Sequence, residues 1–327
     1  MRQISDKEPV LIVRGLKTSF KTRAGEFTVV DGIGFSIFPG EILGMIGESG
    51  SGKTVTGLSL ISLVPYPGRI TGGDIRLKGR PLLHLTEKEK QELRGSRITY
   101  IFQDPTTSLN PTKTIGWQIR HILQRKRSGQ EILQDGKIVE KLLHDVGILS
   151  PERVMNLYPH NLSGGMIQRI LIAMALGCSP DLLIADEPTT NLDVIVEAQI
   201  LRLFLEFRRK AGSAILFISH DIGVIAETCD RVVVLYAGKI MEKGNIVEVL
   251  NRPAHPYTLG LLKSSPQLEA NAQELYQIKG ELPSPWELPR GCRFFPRCET
   301  SLRECGETIP ETIRISQDHF VACHLFK

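Results

Sequence analysis

The chain has no apolar run near the roughly 18 residues that a membrane-crossing helix needs, and its longest, Ile170 to Cys178, has nine. A bilayer-spanning apolar helix is therefore excluded, and a chain soluble by itself is expected. Residues 1–10 mix Arg2, Asp6, Lys7 and Glu8 with no apolar core. No secretory signal is expected from them, and a cytoplasmic location is. An excess of one charge is lacking too, with 40 basic against 36 acidic residues and a net charge of +4. Without basic blocks, that balance argues against nucleic acid as a partner. Before residue 292 the only cysteines are Cys178 and Cys229, in apolar or mixed surroundings that suit core positions. What the chain does have is 41% hydrophobic residues over 327 positions, enough for one large domain and an extension.

The stretch Gly47-Glu48-Ser49-Gly50-Ser51-Gly52-Lys53-Thr54 stands between an apolar run, Ile42 to Ile46, and a helix-spaced segment, Lys53 to Leu63. Strand, glycine-rich loop and helix in that order make a phosphate-binding loop. Glycine and serine let the backbone turn its N–H groups inward toward a polyphosphate at the positive end of the helix. Lys53 would reach the β and γ phosphates, and the Thr54 hydroxyl would ligate Mg²⁺.

Taken in order, Val10 to Val13 and Phe27 to Val30 read as strands paired around a polar hairpin at residues 21–25. Phe20 serves there either as a core aromatic or as a stacking partner for an adenine ring. Residues 72–79 read as a further hairpin bounded by glycines, Thr86 to Arg94 as a short solvated helix, and Ile98 to Phe102 as a strand ending in Gln103. From Trp117 to Val146 the apolar spacing turns helical, as in an insertion between two parts of an α/β core. Ser163 is an N-cap candidate for a helix with Gly164 and Gly165 at its mouth and an apolar face of Ile167, Ile170, Leu171 and Met174. Leu182 to Ala185 is a buried-type strand that ends in Asp186 and Glu187. At that edge Asp186 would serve a Mg²⁺ shell and Glu187 would take a proton from a water attacking the γ phosphate. Ala214 to Ser219 is a strand ended by His220, a candidate γ-phosphate contact, and residues 232–242 close with a hairpin.

This set of motifs resembles the ABC-type ATPases over about residues 10–250: the phosphate loop, Gln103 before Asp-Pro, Leu-Ser-Gly-Gly, Asp186-Glu187-Pro188, Asn191-Leu192-Asp193 and His220. The resemblance implies an α/β fold, a RecA-like core with an antiparallel β subdomain and a helical subdomain inserted at about residues 104–176. It also implies a head-to-tail dimer with two ATP molecules sandwiched at the interface. Lys53, Thr54 and Gln103 would hold the phosphate and Mg²⁺ of the subunit's own ATP, beside Gly47, Glu48, Ser49, Gly50, Ser51 and Gly52. Ser163, Gly164 and Gly165 would touch the partner's γ phosphate, and Asp193 would be a further ATP-binding residue. Glu187 would polarise the water, His220 would steady the transition state, and Phe20 matches the adenine-stacking aromatic. Met166 stands where many members have glutamine, and Asn191 replaces the commoner small residue.

Residues 251–327 carry 8 of the 19 prolines and are expected to form a separate, loop-rich extension. Arg252-Pro253-Ala254-His255-Pro256-Tyr257-Thr258, Leu261-Leu262 and Gly291-Cys292-Arg293-Phe294-Phe295-Pro296-Arg297-Cys298 resemble the dipeptide and oligopeptide importers. That implies an ATPase subunit beneath two permease subunits, beside a second, homologous ATPase or a second copy, and supplied by an extracytoplasmic binding protein. Cys292, Cys298, Cys305 and Cys323 are spaced by five, six and seventeen residues. Four thiolates suit a [4Fe–4S] cluster or Zn²⁺, reduced free thiols are the third reading, and members of this group carry the cluster on matching cysteines. The other readings are a nickel or opine importer of the same family, a soluble ABC protein acting on ribosomes or DNA, and an exporter ATPase. The chain's single ATPase unit and lack of a long coiled-coil insertion disfavour the soluble protein, and the importer-type tail disfavours the exporter.

Overall fold

The computed structural model describes residues 8–105, 107–124, 136–190, 192–265 and 276–326. In chain order the strands and helices are β1 (Leu11–Thr22), β2 (Gly25–Ile37), β3 (Ile42–Ile46), α1 (Lys53–Leu60), β4 (Gly68–Leu77), β5 (Arg80–Pro81), α2 (Glu87–Leu93), β6 (Ile98–Ile101), α3 (Ile115–Gln124), α4 (Gly136–Asp145), α5 (Pro151–Val154), α6 (Gly164–Gly177), β7 (Leu182–Asp186) and α7 (Val194–Ala211). They continue with β8 (Ala214–Ser219), α8 (Ile222–Thr228), β9 (Arg231–Tyr236), β10 (Lys239–Asn245), α9 (Ile246–Asn251), α10 (Pro256–Lys263), β11 (Thr312–Ser316) and β12 (His319–Ala322). Two compact units divide them, one holding residues 38–41 and 85–216, the other residues 8–37, 42–84 and 217–327, so the chain passes between units inside β8.

Two sequence textures make two kinds of sheet in the second unit. β1 and β2 alternate and pair antiparallel through the turn at residues 23–24, and β1 also pairs with β4, giving the order β2-β1-β4-β5. β3 and β9 are continuous apolar runs, buried along nearly their whole length, and they pair in parallel. Strands covered on both faces carry such runs. Beyond β9 the order is β10, β12 and β11, all antiparallel, so residues of the expected extension add strands to this sheet. The end of β8 follows β3 on the other side.

The first unit has β6 and β7 in parallel, with the start of β8 next to β7, and helices α2 to α7. α2 starts at Thr86 with a complete capping box, Thr86 accepting from the Glu89 N–H while the Glu89 carboxylate accepts from the Thr86 N–H. α3 and α4 lie in the stretch expected to be helical, the part between them falling outside the described residues.

One expectation changes. Residues 72–79 form no hairpin of their own, because all but the last two belong to the long strand β4, and its turn at Lys78-Gly79 leads into a two-residue β5. Gly73 stands where the antiparallel pairing of β4 with β1 shifts register, and a Cβ there, at φ 103°, would stand 2.6 Å from Leu16 Cα.

Candidate nucleotide site

The phosphate loop lies in the second unit, between fully buried β3 and α1. At Gly47 a Cβ would stand 2.1 Å from the Leu235 carbonyl oxygen, so only glycine fits there. Gly50 and Gly52 have φ of 80° and 104°, the left-handed values that glycine tolerates. Lys53 is buried, and its ammonium donates to the Gly47 carbonyl at 2.6 Å and the Glu48 carbonyl at 3.0 Å. The loop thus curls around its own cation. Ser51 Oγ is buried without a hydrogen-bond partner, a polar atom on the inside of the curl. Thr54, at the second position of α1, is exposed.

The same unit holds two more expected residues. Phe20 is half-buried; its ring stacks on Phe27 with centroids 6.0 Å apart, and Phe27 meets the edge of Trp286 at 5.2 Å. His220 is exposed at the end of β8 and lines a cavity of about 180 Å³ with Ile46, Asp221, Leu261 and Ser264.

The acidic pair lies in the first unit. Asp186, buried at the end of β7, accepts from the Tyr100 hydroxyl at 2.7 Å. Burial and that carboxylate both push the Tyr100 phenol up, so it stays a donor. Glu187 has a left-handed backbone, φ 47°, uncommon for a residue with a side chain. One carboxylate oxygen accepts from Gln103 Nε2 and from Thr190 Oγ1, both at 3.0 Å. Gln103 and Glu187, assigned from separate motifs, are therefore in direct contact.

The signature stretch opens α6. Ser163 is its N-cap, accepting from the Met166 N–H at 3.4 Å, and Gly164 has open space where a Cβ would be. Asp193 caps α7 in the same way, through Val196 N–H at 3.0 Å. Ser163, Gly164, Gly165, Met166 and Asp193 line one open cleft of about 1140 Å³ within the unit. Backbone N–H groups at the mouth of a 14-residue helix suit an anion. Asn191 lies outside the described residues.

The metal centre expected on Cys292, Cys298, Cys305 and Cys323 is not supported. Among the described residues no group of three or more histidine, cysteine or acidic side chains is placed to hold a metal ion. The thiols are used locally instead. Cys305 accepts from the Leu302 N–H at 3.4 Å, and Cys298 lies 3.6 Å from Thr300 Oγ1. None is in a disulfide, and burial followed by the charges of its neighbours raises Cys292 to about 11. The four thiols are close enough to act on one another's charge even so.

Four contacts were not legible beforehand. Tyr100 stands two positions before Phe102 in an ordinary strand. Arg293 pairs with Asp31 at 2.6 Å, beside Lys17 and Lys239. His319 meets wholly buried Glu242 at 2.6 Å, and the Glu242 carboxylate also takes the Ala254 and His255 N–H groups. Arg297 pairs with Glu48 at 2.8 Å. Each joins residues remote in sequence, and in no case does spacing or composition signal the partner.

Residues 30–190 match the ABC transporter family, and residues 241–305 match the oligopeptide/dipeptide transporter C-terminal region. The dipeptide transport ATP-binding protein DppD of Bacillus subtilis is 46% identical over 97% of this chain and 95% of its own. The oligopeptide transport ATP-binding protein AppD of the same organism is 43% identical over 97% of each chain. A solved structure, the dimeric post-hydrolysis state of the ATP-binding cassette MJ0796 bound to ADP and phosphate, matches at a TM-score of 0.65 and 24% identity, over 72% of this chain and 98% of that one. At that identity the likeness bears on the fold.

Proposed function

This chain belongs to the ABC transporter ATP-binding proteins, in the branch with the oligopeptide/dipeptide C-terminal region, and on that premise we propose that it is the ATP-hydrolysing subunit of a membrane importer of di- or oligopeptides. The observation that carries the reading is the phosphate loop: a backbone that admits only glycine at Gly47, closed around the Lys53 ammonium between a buried strand and a helix. Binding ATP replaces the carbonyl contacts of Lys53 with the β and γ phosphates, while Ser51 and the loop N–H groups gain the partners they are shaped for. Thr54, Gln103 and Asp186 would hold Mg²⁺, which neutralises phosphate charge during transfer. Thr54 is exposed, and Asp186 is fixed by Tyr100, which suits both.

In this reading Glu187 takes the proton of the attacking water, with Gln103 and Thr190 orienting its carboxylate. His220 steadies the γ phosphate and Phe20 stacks on adenine. Ser163, Gly164 and Gly165 face the ATP of a partner subunit, identical or homologous, and Asp193 is a further ATP-binding residue. The functional division falls near residue 250, with the helical insertion at about 104–176 docking two permease subunits from the cytoplasmic face. Among the described residues no helix is long and apolar enough to cross a membrane. Substrate reaches such an assembly through an extracytoplasmic binding protein, so nickel or an opine in place of peptide leaves this chain's chemistry unchanged.

For the four cysteines the finer reading is the [4Fe–4S] cluster that the resemblance implies, with Zn²⁺ the alternative that four thiolates suit. Their mutual proximity supports it, and the arrangement of their side chains counts against it. Iron and zinc analysis of anaerobically purified chain decides: neither metal, with no broad visible absorbance, removes both.

Glu187→Gln tests the ATPase. It should bind ATP yet hydrolyse it at least about a hundredfold more slowly, and near-normal turnover would overturn the role given to Glu187. Affinity purification from detergent-solubilised membranes tests the transporter, since two permeases and a second ATPase should be recovered, and soluble ribosomal or DNA-bound partners should not.

A further inference from the structure

Glu48 is an awkward residue for a phosphate loop. The loop gathers N–H groups and an ammonium around a polyanion, and a carboxylate among them repels the same ligand. In the structure that carboxylate is occupied. Arg297 Nη1 stands 3.0 and 2.8 Å from its two oxygens, and the Arg297 side chain is only 6% exposed. The guanidinium has little freedom to leave. Its Nε donates to the Lys279 carbonyl at 2.9 Å, Nη2 to those of Gly280 at 3.1 Å and Ile278 at 3.4 Å, and Nη1 also reaches the Tyr236 hydroxyl at 3.3 Å. The faces of Tyr236 and Phe294 lie 5.7 and 6.0 Å away.

Two further points of the C-terminal region touch the loop. The Glu48 N–H donates to the hydroxyl of wholly buried Tyr257 at 2.9 Å. Leu282 Cδ2 lies 3.3 Å from the place where a Cβ on Gly50 would be. The loop's second residue is thus held by its backbone and its side chain at once, from positions more than 200 residues further along the chain.

We propose that Arg297 is a positioning residue for nucleotide binding: by neutralising and fixing Glu48 it makes the phosphate loop an anion site, so the C-terminal region sets how tightly the loop takes MgATP. The proposal rests on the ATPase reading and deepens it. Arg297 touches no nucleotide; it acts through Glu48. An arginine that served only as a strut for residues 278–280 would have no interest in the charge on Glu48, and the test turns on that difference.

The experiment is a charge cycle on the full-length chain, with binding of Mg²⁺ and the non-hydrolysable analogue AMP-PNP measured by calorimetry. Arg297→Ala should weaken binding about tenfold, the scale of leaving a partly buried charge without its partner. Adding Glu48→Gln to that chain should restore binding to within about threefold of the unmodified protein, because the orphaned charge is gone. Undiminished binding in Arg297→Ala, or a loss that Glu48→Gln does not recover, overturns the proposal. If Arg297→Ala does not fold, Arg297→Lys is read on the same scale. It keeps the charge and drops most of the bonds to residues 278–280, so binding within about threefold supports the proposal and a tenfold loss overturns it. Failure of the ATPase reading looks different: the unmodified chain would then show no binding that Lys53→Ala abolishes.

Discussion

The phosphate loop and the acidic edge of β7 serve one proposed reaction, but they are held in opposite ways. The loop is over-determined. Gly47 touches Leu235, Lys53 is buried in the loop's own carbonyls, and Glu48 is pinned by Tyr257 and Arg297. At the acidic edge Asp186 is buried but Glu187 is half-buried, sits on a left-handed backbone and shares one oxygen between Gln103 and Thr190. The signature mouth is looser still, with Ser163 exposed and its cap bond at 3.4 Å. The proposed binding therefore rests on backbone with little room to shift, and the parts proposed to do chemistry are held through side-chain bonds that a ligand or a partner can rearrange.

The sharpest way to break this contrast is at its rigid end. Gly47→Ala puts a methyl group 2.1 Å from a backbone oxygen that has nowhere to go. A displacement of the loop by about an ångström should weaken MgATP binding at least about a hundredfold, and thermal unfolding should also fall. Calorimetry and a melting curve check both. A variant that binds normally would mean that the loop yields and the contrast is false.

At the acidic edge a smaller effect is expected. Tyr100→Phe removes the hydroxyl that Asp186 accepts at 2.7 Å while keeping the ring against Phe102. Loss of a hydrogen bond to a buried charged group should cost about 1.5–3 kcal/mol. Urea unfolding measures it, and a cost near zero would mean that Asp186 is held by its other surroundings.

How far the sequence discloses these arrangements follows from the range of the interactions. Local signals were legible: the polar hairpin between β1 and β2, the Ser163 cap, the buried run before Asp186 and the strand before His220 all rest on neighbours a few residues apart. The residues 72–79 misled because a glycine that lets two paired strands shift register looks the same as glycines that end a hairpin. Arg297 was visible only as part of a run that resembles a family, since nothing local says that its partner is Glu48. The cysteine set shows the converse, because four thiols clustered in sequence need not present a tetrahedron.

His255 caps α10 by accepting from the N–H of Tyr257, the residue that in turn holds Glu48. Burial pulls its pKa down to about 3. In the folded chain it stays neutral where the unfolded chain, with a value near 6.5, takes up a proton. Its contribution is therefore present above about pH 6.5 and lost as pH falls toward 3, by up to about 1.4 kcal/mol per pH unit. His255→Asn keeps a capping acceptor and removes the titration. Its stability should fall about 1 kcal/mol less per pH unit than that of the unmodified chain between pH 6.5 and 4.5, measured by urea unfolding. Parallel slopes would remove His255 as the cause.

The smallest effect on stability is expected where the structure is loosest. Ser163→Ala deletes an exposed cap whose bond is long, so it should cost only about 0.5 kcal/mol, the low end for such caps. Hydrolysis by the assembled dimer should fall at least about tenfold nonetheless, because in the proposed reading that hydroxyl serves the partner's γ phosphate rather than its own helix. Binding of ATP to the separate chain should not change. Those three readouts set the mouth apart from the loop: at Gly47 stability and binding fail together, while at Ser163 only the reaction of the assembled pair does. A loss of stability that matched the loss of rate would make Ser163 an ordinary helix cap.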